Sequence, residues 1–281
     1  MKIIECPRDA WQGHHPFIPT EVKAAYINEL LKVGFDTIDF GSFVSPKAMP
    51  QVSDTSKLLG KLDLSTTHSS LLSIVANLRG AETACQFEEI GYIGYPFSIS
   101  ETFQIRNTNS TIADSLTIVQ RMADLCLQKG KKPVIYISMG FGNPYGDPWN
   151  PEIVMQWIEK LRAEGIHIFA LSDTVGVAKT EEIHALFSTV ILQWPDLEFG
   201  AHFHTKPLEW HAKIDAAYAA GCRRYDGAIL GYGGCPMAQD DLVGNMPTEQ
   251  LIQFSRDKKE FTSLNLDAFE TAKAMFQTLI I

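Results

Sequence analysis

One junction recurs along the chain and constrains its fold more than any other feature: a helix-like stretch, a glycine, then a short apolar run. It occurs at Gly34 before Asp36 to Phe40, at Gly60 before Leu62 to Ser65, and at Gly91 before Tyr92 to Phe97. It returns at Gly130 before Val134 to Ser138, at Gly165 before Ile166 to Leu171, and at Gly221 before Arg224 to Ile229. Glycine is favoured just past a helix end because, lacking Cβ, it enters the left-handed conformation without penalty. Each junction therefore reads as helix, turn, strand. The last gap between glycines is long enough for two units and holds a further strand candidate, Leu197 to His204, after Pro195-Asp196. With Lys2 to Glu5 at the start, this makes eight strands, each followed by a helical segment. Eight alternating units in 281 residues predict an α/β chain folded as a TIM (β/α)8 barrel. The expected organisation is a single domain, 1–281, with a C-terminal helical segment from Leu266 to Leu279. An open doubly wound sheet is the competitor, but no Gly-x-Gly-x-x-Gly follows the first strand to support it.

The helical segments carry the pattern of an outer ring. In Thr20 to Val33 the apolar positions Val22, Ala25, Tyr26, Leu30 and Val33 recur at three- and four-residue spacing, leaving Glu21, Lys23, Asn28 and Glu29 for water. A formal net charge of −9 excludes a nucleic-acid binder built on overall charge, which needs a basic surface to displace counterions. No apolar run approaches the roughly 20 residues that cross a bilayer, so no membrane partner is expected. The N-terminus meets Glu5 and Pro7 too early for a signal segment. Five scattered cysteines without a Cys-x-x-Cys pair read as reduced thiols, and a cytoplasmic location is expected.

In such a barrel the chemistry belongs at the C-terminal ends of the strands. Arg8-Asp9 follows strand 1, Asp39 ends strand 2, Ser172-Asp173-Thr174 ends strand 6, and His202-Phe203-His204 ends strand 7. Residues two apart in a strand share a face. Two imidazoles so placed can converge on one divalent ion with Asp9 as a carboxylate donor; the other reading makes one histidine a hydrogen-bonded core residue. Two imidazoles, a carboxylate and further oxygen ligands suit Mg²⁺ or Mn²⁺, and Zn²⁺ accepts the same donor types. Arg8 is either a stabiliser of developing negative charge or a structural salt-bridge partner. Asp39 is either catalytic or an N-cap or ion-pair residue, and Asp173-Thr174 is read as a cap for the following helix. Gly231-Tyr232-Gly233-Gly234-Cys235-Pro236 makes a glycine-rich loop after strand 8 that would carry Cys235 to the rim as a proton donor or acceptor. Asn245, further along, could complete a metal shell through its amide oxygen.

Several segments, in order along nearly the whole chain, resemble the 3-hydroxy-3-methylglutaryl-CoA lyase family of metal-dependent carbon–carbon lyases. They are Pro7-Arg8-Asp9 with Gln12, Ser42-Phe43-Val44-Ser45-Pro46-Lys47 with Pro50-Gln51 and Asp54, and Asn77-Leu78-Arg79-Gly80. Ser100-Glu101-x-Phe103 with Asn107 and Asn109, Ser172 to Gly176, His202-x-His204, Gly233-Gly234-Cys235-Pro236 and Gly244-Asn245 follow. The Gly-Gly-Cys-Pro loop separates the lyase from its condensing relatives. The resemblance implies that Asp9, His202, His204 and Asn245 hold the divalent ion. It implies that Arg8 binds the substrate's carbonyl region, that Asp39 stands in for a family glutamate near the acid/base machinery, and that Cys235 transfers a proton. His202 or Asp39 would take the hydroxyl proton. The implied reaction is retro-Claisen cleavage of 3-hydroxy-3-methylglutaryl-CoA into acetoacetate and acetyl-CoA, with an acyl-CoA as the small-molecule partner, in a homodimer.

The chain departs from the family pattern at Ala10 for glycine, Asp39 for glutamate and Thr205 for aspartate, and in the wording of Asp226 to Leu230. Two other functions fit the same residues. One is a related metal-dependent aldolase or acyl-CoA condensing enzyme with a different 3-hydroxyacyl or 2-oxo substrate. Against it, the condensing relatives generally carry a long extension, and this chain ends about one helix after the expected barrel closes. The other is a non-catalytic metal- or ligand-binding barrel.

Overall fold

Eight strands, β1 (Lys2–Glu5), β2 (Thr37–Ser42), β3 (Ser70–Ile74), β4 (Ile90–Ser98), β5 (Lys132–Ser138), β6 (Ile168–Asp173), β7 (Glu198–Thr205) and β8 (Arg224–Gly227), pair in the order β6-β5-β4-β3-β2-β1-β8-β7. β6 also pairs with β7, so the sheet closes, and every pairing in the ring is parallel. Parallel neighbours need a crossover, which the helices supply on the outside. The fold is the TIM barrel expected from the sequence. It was obtained as a computed structural model and describes residues 1–234, 243–260 and 263–280.

The helices are α1 (Pro7–Trp11), α2 (Thr20–Val33), α3 (Thr55–Leu59), α4 (Leu78–Ala84), α5 (Glu101–Thr108) and α6 (Ile112–Lys129). They continue as α7 (Pro151–Ala163), α8 (Thr180–Gln193), α9 (Trp210–Ala219), α10 (Thr248–Asp257) and α11 (Leu266–Leu279), the last spanning the segment read from the sequence. A two-residue strand, β9 (Gly244–Asn245), runs antiparallel to the end of β7 and sets Asn245 opposite His204.

The glycine reading holds at α2 and α6, which end on Gly34 (φ 82°) and Gly130 (φ 65°) in the left-handed conformation. It fails at Gly60, which is right-handed (φ −66°), and at Gly91, which lies inside β4. The third strand is accordingly not Leu62 to Ser65 but Ser70–Ile74. Asp63 turns the chain there by accepting hydrogen bonds from the Ser65 amide and hydroxyl, a local bond that competes with strand pairing.

α2 is rotated about its axis relative to the sequence expectation: Val22 is 43 % exposed and Ala25 faces water, while Lys23, Ala24 and Ile27 are buried. Lys23 can go inside because its ammonium pairs with Asp54 at 2.8 Å and donates to the Gln51 carbonyl. Inside the barrel, Leu72, Val134, Tyr136 and Ala170 form a separate apolar cluster on the β3 to β6 side. Across the interior, β7 and β8 offer His202, Arg224 and Asp226. The polar half of the interior leads up to the site.

Candidate active site

β1 ends at Glu5 and α1 begins at Pro7, whose fixed φ suits a first helical position, so Arg8 and Asp9 stand at the barrel rim in the first helical turn. Both are buried. Arg8 reaches across to β2, where Nε lies 3.0 Å and Nη2 2.5 Å from Oδ2 of Asp39. Its Nη1 donates to Asp9 Oδ1 (3.1 Å) and Gln12 Oε1 (2.9 Å), and Gln12 Nε2 donates to the same Asp9 oxygen (2.7 Å). Four of the five guanidinium N–H bonds are thereby engaged, leaving one on Nη2. Burial works against the Arg8 charge, but Asp39 and Asp9 outweigh it and hold the guanidinium firmly protonated. Burial pushes the Asp39 carboxyl up to about 6 in spite of Arg8. Asp9 goes the other way: Arg8, the two imidazoles of β7 and the Asn245 amide overcome its burial and pull its pKa below the ordinary range.

Asp9 Oδ2 is buried and has no hydrogen-bond partner among the described residues. A carboxylate oxygen in that condition calls for a cation or a donor. Asp9, His202 and His204 each offer a ligand atom within 4.8 Å of the others. In both imidazoles Nδ1 is already committed, to Asp226 Oδ2 for His202 and to the Val243 carbonyl for His204, each at 3.1 Å. Nε2 is the nitrogen left on each ring. One oxygen and two neutral nitrogens fit a divalent ion of the Mg²⁺, Mn²⁺ or Zn²⁺ type. Burial and the charge of His202 lower the pKa of His204, so it stays neutral and available as a ligand. In His202 burial is outweighed by Asp226, and the pKa rises.

Asn245 is set beside this group by its pairing opposite His204 and is anchored by its amide nitrogen, which donates to the Tyr232 carbonyl at 2.9 Å. Gly233 (φ +93°) lies against the first helical turn so closely that a Cβ there would sit 2.7 Å from the Asp9 carbonyl oxygen and the Ala10 Cα. The stretch after β8 is thus packed directly on the metal-ligand candidate.

These groups open into a cavity of about 340 Å³ lined by Arg8, Asp9, Gln12, His202 and His204, with Val44, Met49, Val52, Ile74 and Phe103 as an apolar wall. Arg106, Asn107 and Asn109 stand on the same wall. Six of the eight segments that carry the family resemblance, all but Gly233 to Pro236 and Gly244-Asn245, therefore contribute residues to one space. Of the predicted site residues, Arg8, Asp9, Asp39, His202, His204 and Asn245 come together. Asp39 takes its place beneath Arg8 and is not part of the cavity lining. Cys235 lies outside the described residues.

The cap reading of Asp173 is corrected. It accepts from the Val177 and Ala178 amides, in the loop before α8, and pairs with Lys213 at 2.6 Å, whereas the N-cap of α8 is Lys179. Sequence reasoning also passed over Asp226, the partner of His202, and Tyr136, whose ring meets His202 edge-on at 5.2 Å. The signal for Asp226 was there: Arg224-Tyr225-Asp226 alternates charged, apolar, charged in a strand whose alternate residues must face the interior.

Among the described residues no helix is long and apolar enough to cross a membrane. Comparison with known proteins gives a consistent result. The chain is 30% identical over 278 residues to the mitochondrial hydroxymethylglutaryl-CoA lyase of Bos taurus, covering 98% of this chain and 84% of that one. It is 29% identical over 268 residues to a hydroxymethylglutaryl-CoA lyase of Bacillus subtilis, covering 95% and 88%. Its structure superposes with a TM-score of 0.91 on an HMG-CoA lyase from Acinetobacter baumannii in complex with coenzyme A and 3-methylmalate, at 28% identity over 100% of this chain and 91% of that one. The HMGL-like family model matches residues 2–275, and with the barrel and its polar mouth already in place the chain belongs to the HMGL-like family of carbon–carbon lyases.

Proposed function

We propose that the chain cleaves 3-hydroxy-3-methylglutaryl-CoA to acetoacetate and acetyl-CoA by a divalent-metal-dependent retro-Claisen reaction. The observation that carries the reading is the trio Asp9, His202 and His204, with a buried carboxylate oxygen that has no partner among the described residues, at a barrel mouth lined by six of the family-like segments. Asp9, His202, His204 and the Asn245 amide oxygen would hold the ion, and the mixture of oxygen and nitrogen donors favours Mg²⁺ or Mn²⁺. When bound, such an ion lowers the pKa of the tertiary alcohol and fixes the hydroxyacid end of the substrate.

The rest falls to side chains. Among the described residues Arg8 keeps one N–H on Nη2 without a partner, and it carries a full positive charge, so it can receive the negative charge that moves onto the thioester oxygen as the carbon–carbon bond opens. Asp39 holds the guanidinium in that pose. Of the two bases considered for the hydroxyl proton, His202 lines the cavity and Asp39 has its oxygens on Arg8. A His202 that gives Nε2 to the ion and keeps hydrogen on Nδ1 for Asp226 has no lone pair for a proton, so we assign proton removal to Asp39, the other carboxylate of the Arg8 cluster. The family resemblance gives the proton that the acetyl-CoA enolate needs to Cys235. Residues 1–281 act as one catalytic domain, working as a homodimer in the cytoplasm; sedimentation as a monomer at working concentration would contradict the dimer.

The test is direct. Purified protein with Mg²⁺ or Mn²⁺ should release acetyl-CoA and acetoacetate in equal amounts from 3-hydroxy-3-methylglutaryl-CoA. Turnover of another 3-hydroxyacyl-CoA or a 2-oxo acid, with none of this substrate, would replace the substrate by that of a related aldolase or condensing enzyme. No turnover of any of them would favour a non-catalytic binding barrel.

A further inference from the structure

A barrel interior is normally filled by apolar side chains, as it is here on the β3 to β6 side. The β7 and β8 side is filled by charge instead. Asp226, 2 % exposed, places Oδ2 3.1 Å from Nδ1 of His202 and Oδ1 3.4 Å from Nη1 of Arg224, an ion-pair contact in which neither atom makes a hydrogen bond among the described residues. Arg224, also buried, turns Nε to Glu198 Oε1 at 3.3 Å, and the other Glu198 oxygen meets Lys2 at 2.6 Å. The row Lys2, Glu198, Arg224, Asp226, His202 thus climbs from the closed end of the barrel to the site. Room for it is built in: a Cβ on Gly200 would lie 2.7 Å from Arg224 Nη1. Burying such a row costs several kcal/mol per ion before pairing, and an apolar layer of the same volume would avoid the cost. Stability alone does not account for it.

We propose that Asp226 is a positioning residue for His202. It fixes the tautomer that carries hydrogen on Nδ1 and aims the bare Nε2 at Asp9 and His204, and the charge of Arg224 attracts the other carboxylate oxygen so that Asp226 stays turned to the ring. A neutral imidazole has one N–H, and a carboxylate only accepts, so a ring nitrogen 3.1 Å from Asp226 must be the one bearing hydrogen. His204 reaches the same tautomer through the Val243 carbonyl, a neutral acceptor. His202 has the charged one, which makes the stronger hydrogen bond and raises the ring's basicity as a ligand. Without Asp226, the described neighbours of His202 are the edge of Tyr136, the His204 ring at 5.4 Å and Asp9, none of which holds hydrogen on Nδ1. The inference deepens the metal-site reading above and rests on it for its effect on the ion.

Two variants, D226A and D226N, and two measurements separate the possibilities. The first measurement is long-range ¹H–¹⁵N NMR of histidine-labelled, metal-free protein, with the His202 signals assigned by their loss in H202Q. At a pH above the raised pKa of His202, the wild type should show it protonated on Nδ1 alone. D226A should show both tautomers, and D226N should shift toward Nε2–H, since its amide nitrogen can donate to Nδ1. The second is Mn²⁺ binding followed by EPR, where loss of an outer carboxylate should weaken affinity about 10- to 100-fold, with thermal melts confirming folded protein. If D226A does not fold, D226N carries both tests. His202 held as Nδ1–H in both variants, with Mn²⁺ affinity within about twofold of wild type, would overturn the proposal. A wild type that binds no Mn²⁺ would overturn the metal reading instead, and the tautomer spectra would then decide the role of Asp226 by themselves.

Discussion

Replacing Glu5 by Gln should stabilise the protein at neutral and alkaline pH. Glu5 is fully buried on the outer face of β1, where Oε1 accepts from the Ile229 amide at 3.1 Å and Oε2 from the Thr248 hydroxyl at 2.5 Å. Burial raises its pKa from 4.5 to about 8, outweighing both hydrogen bonds. The folded chain therefore keeps a proton that the unfolded chain releases near 4.5, and stability falls as pH rises through this window. At about 1.4 kcal/mol per pH unit, the loss is on the order of 3 kcal/mol by pH 7 and 5 kcal/mol above pH 8. Glutamine keeps the shape, accepts from Ile229 through its oxygen, donates to Thr248 through its nitrogen, and has nothing to ionise. Thermal unfolding of E5Q and wild type at pH 5 and pH 8 checks this. The two should melt within a degree or two of one another at pH 5, and E5Q should melt several degrees higher at pH 8, at roughly 2 °C per kcal/mol for a chain of this size. A wild type that is the more stable at pH 8, or a difference that does not change with pH, would refute the reasoning.

Three further outcomes bear on the site. R8Q removes the cation between two buried carboxylates and should lower kcat for 3-hydroxy-3-methylglutaryl-CoA cleavage by about 10²- to 10³-fold, with a loss of about 3–5 kcal/mol in stability. An R8Q enzyme with wild-type turnover would remove Arg8 from the chemistry. G233A forces a Cβ to 2.7 Å from the Asp9 carbonyl in a left-handed backbone, so Mn²⁺ affinity and turnover should fall together. Unchanged affinity would mean that Gly233 does not support the ligand group. C235A should abolish most turnover while leaving Mn²⁺ binding intact, measured by EPR on the same preparation; retained turnover would assign the enolate proton elsewhere.

The barrel was legible because each β/α unit repeats the same local chemistry, a helix stop and a short apolar strand. Where the repeat broke, so did the reading: Gly60 has the right neighbours for a left-handed stop, but Asp63 bends the chain and delays the third strand to Ser70–Ile74. Lys23 reads as solvent-facing by its type, and only partners distant in sequence, Asp54 and the Gln51 carbonyl, allow its burial. Among the site residues, His202 and His204 could be read from spacing, and Asp9 from its place after β1. That Asp39 belongs to Arg8 could not, since the two are joined across neighbouring strands and the sequence offered cap, ion pair or catalyst equally. Asp226 was hidden for a different reason: its neighbours Gly227 and Ala228 gave no motif, and its meaning depends on a histidine in the adjacent strand.

The central claim is that one divalent ion is held jointly by the first and seventh strands' rim residues. Diffraction from crystals grown with Mn²⁺, collected at the manganese absorption edge, measures this directly. The account predicts one strong anomalous peak in the barrel mouth, at bonding distance from Asp9 and from Nε2 of both His202 and His204. A peak bound to other residues, or none at a Mn²⁺ concentration that supports turnover, would contradict it.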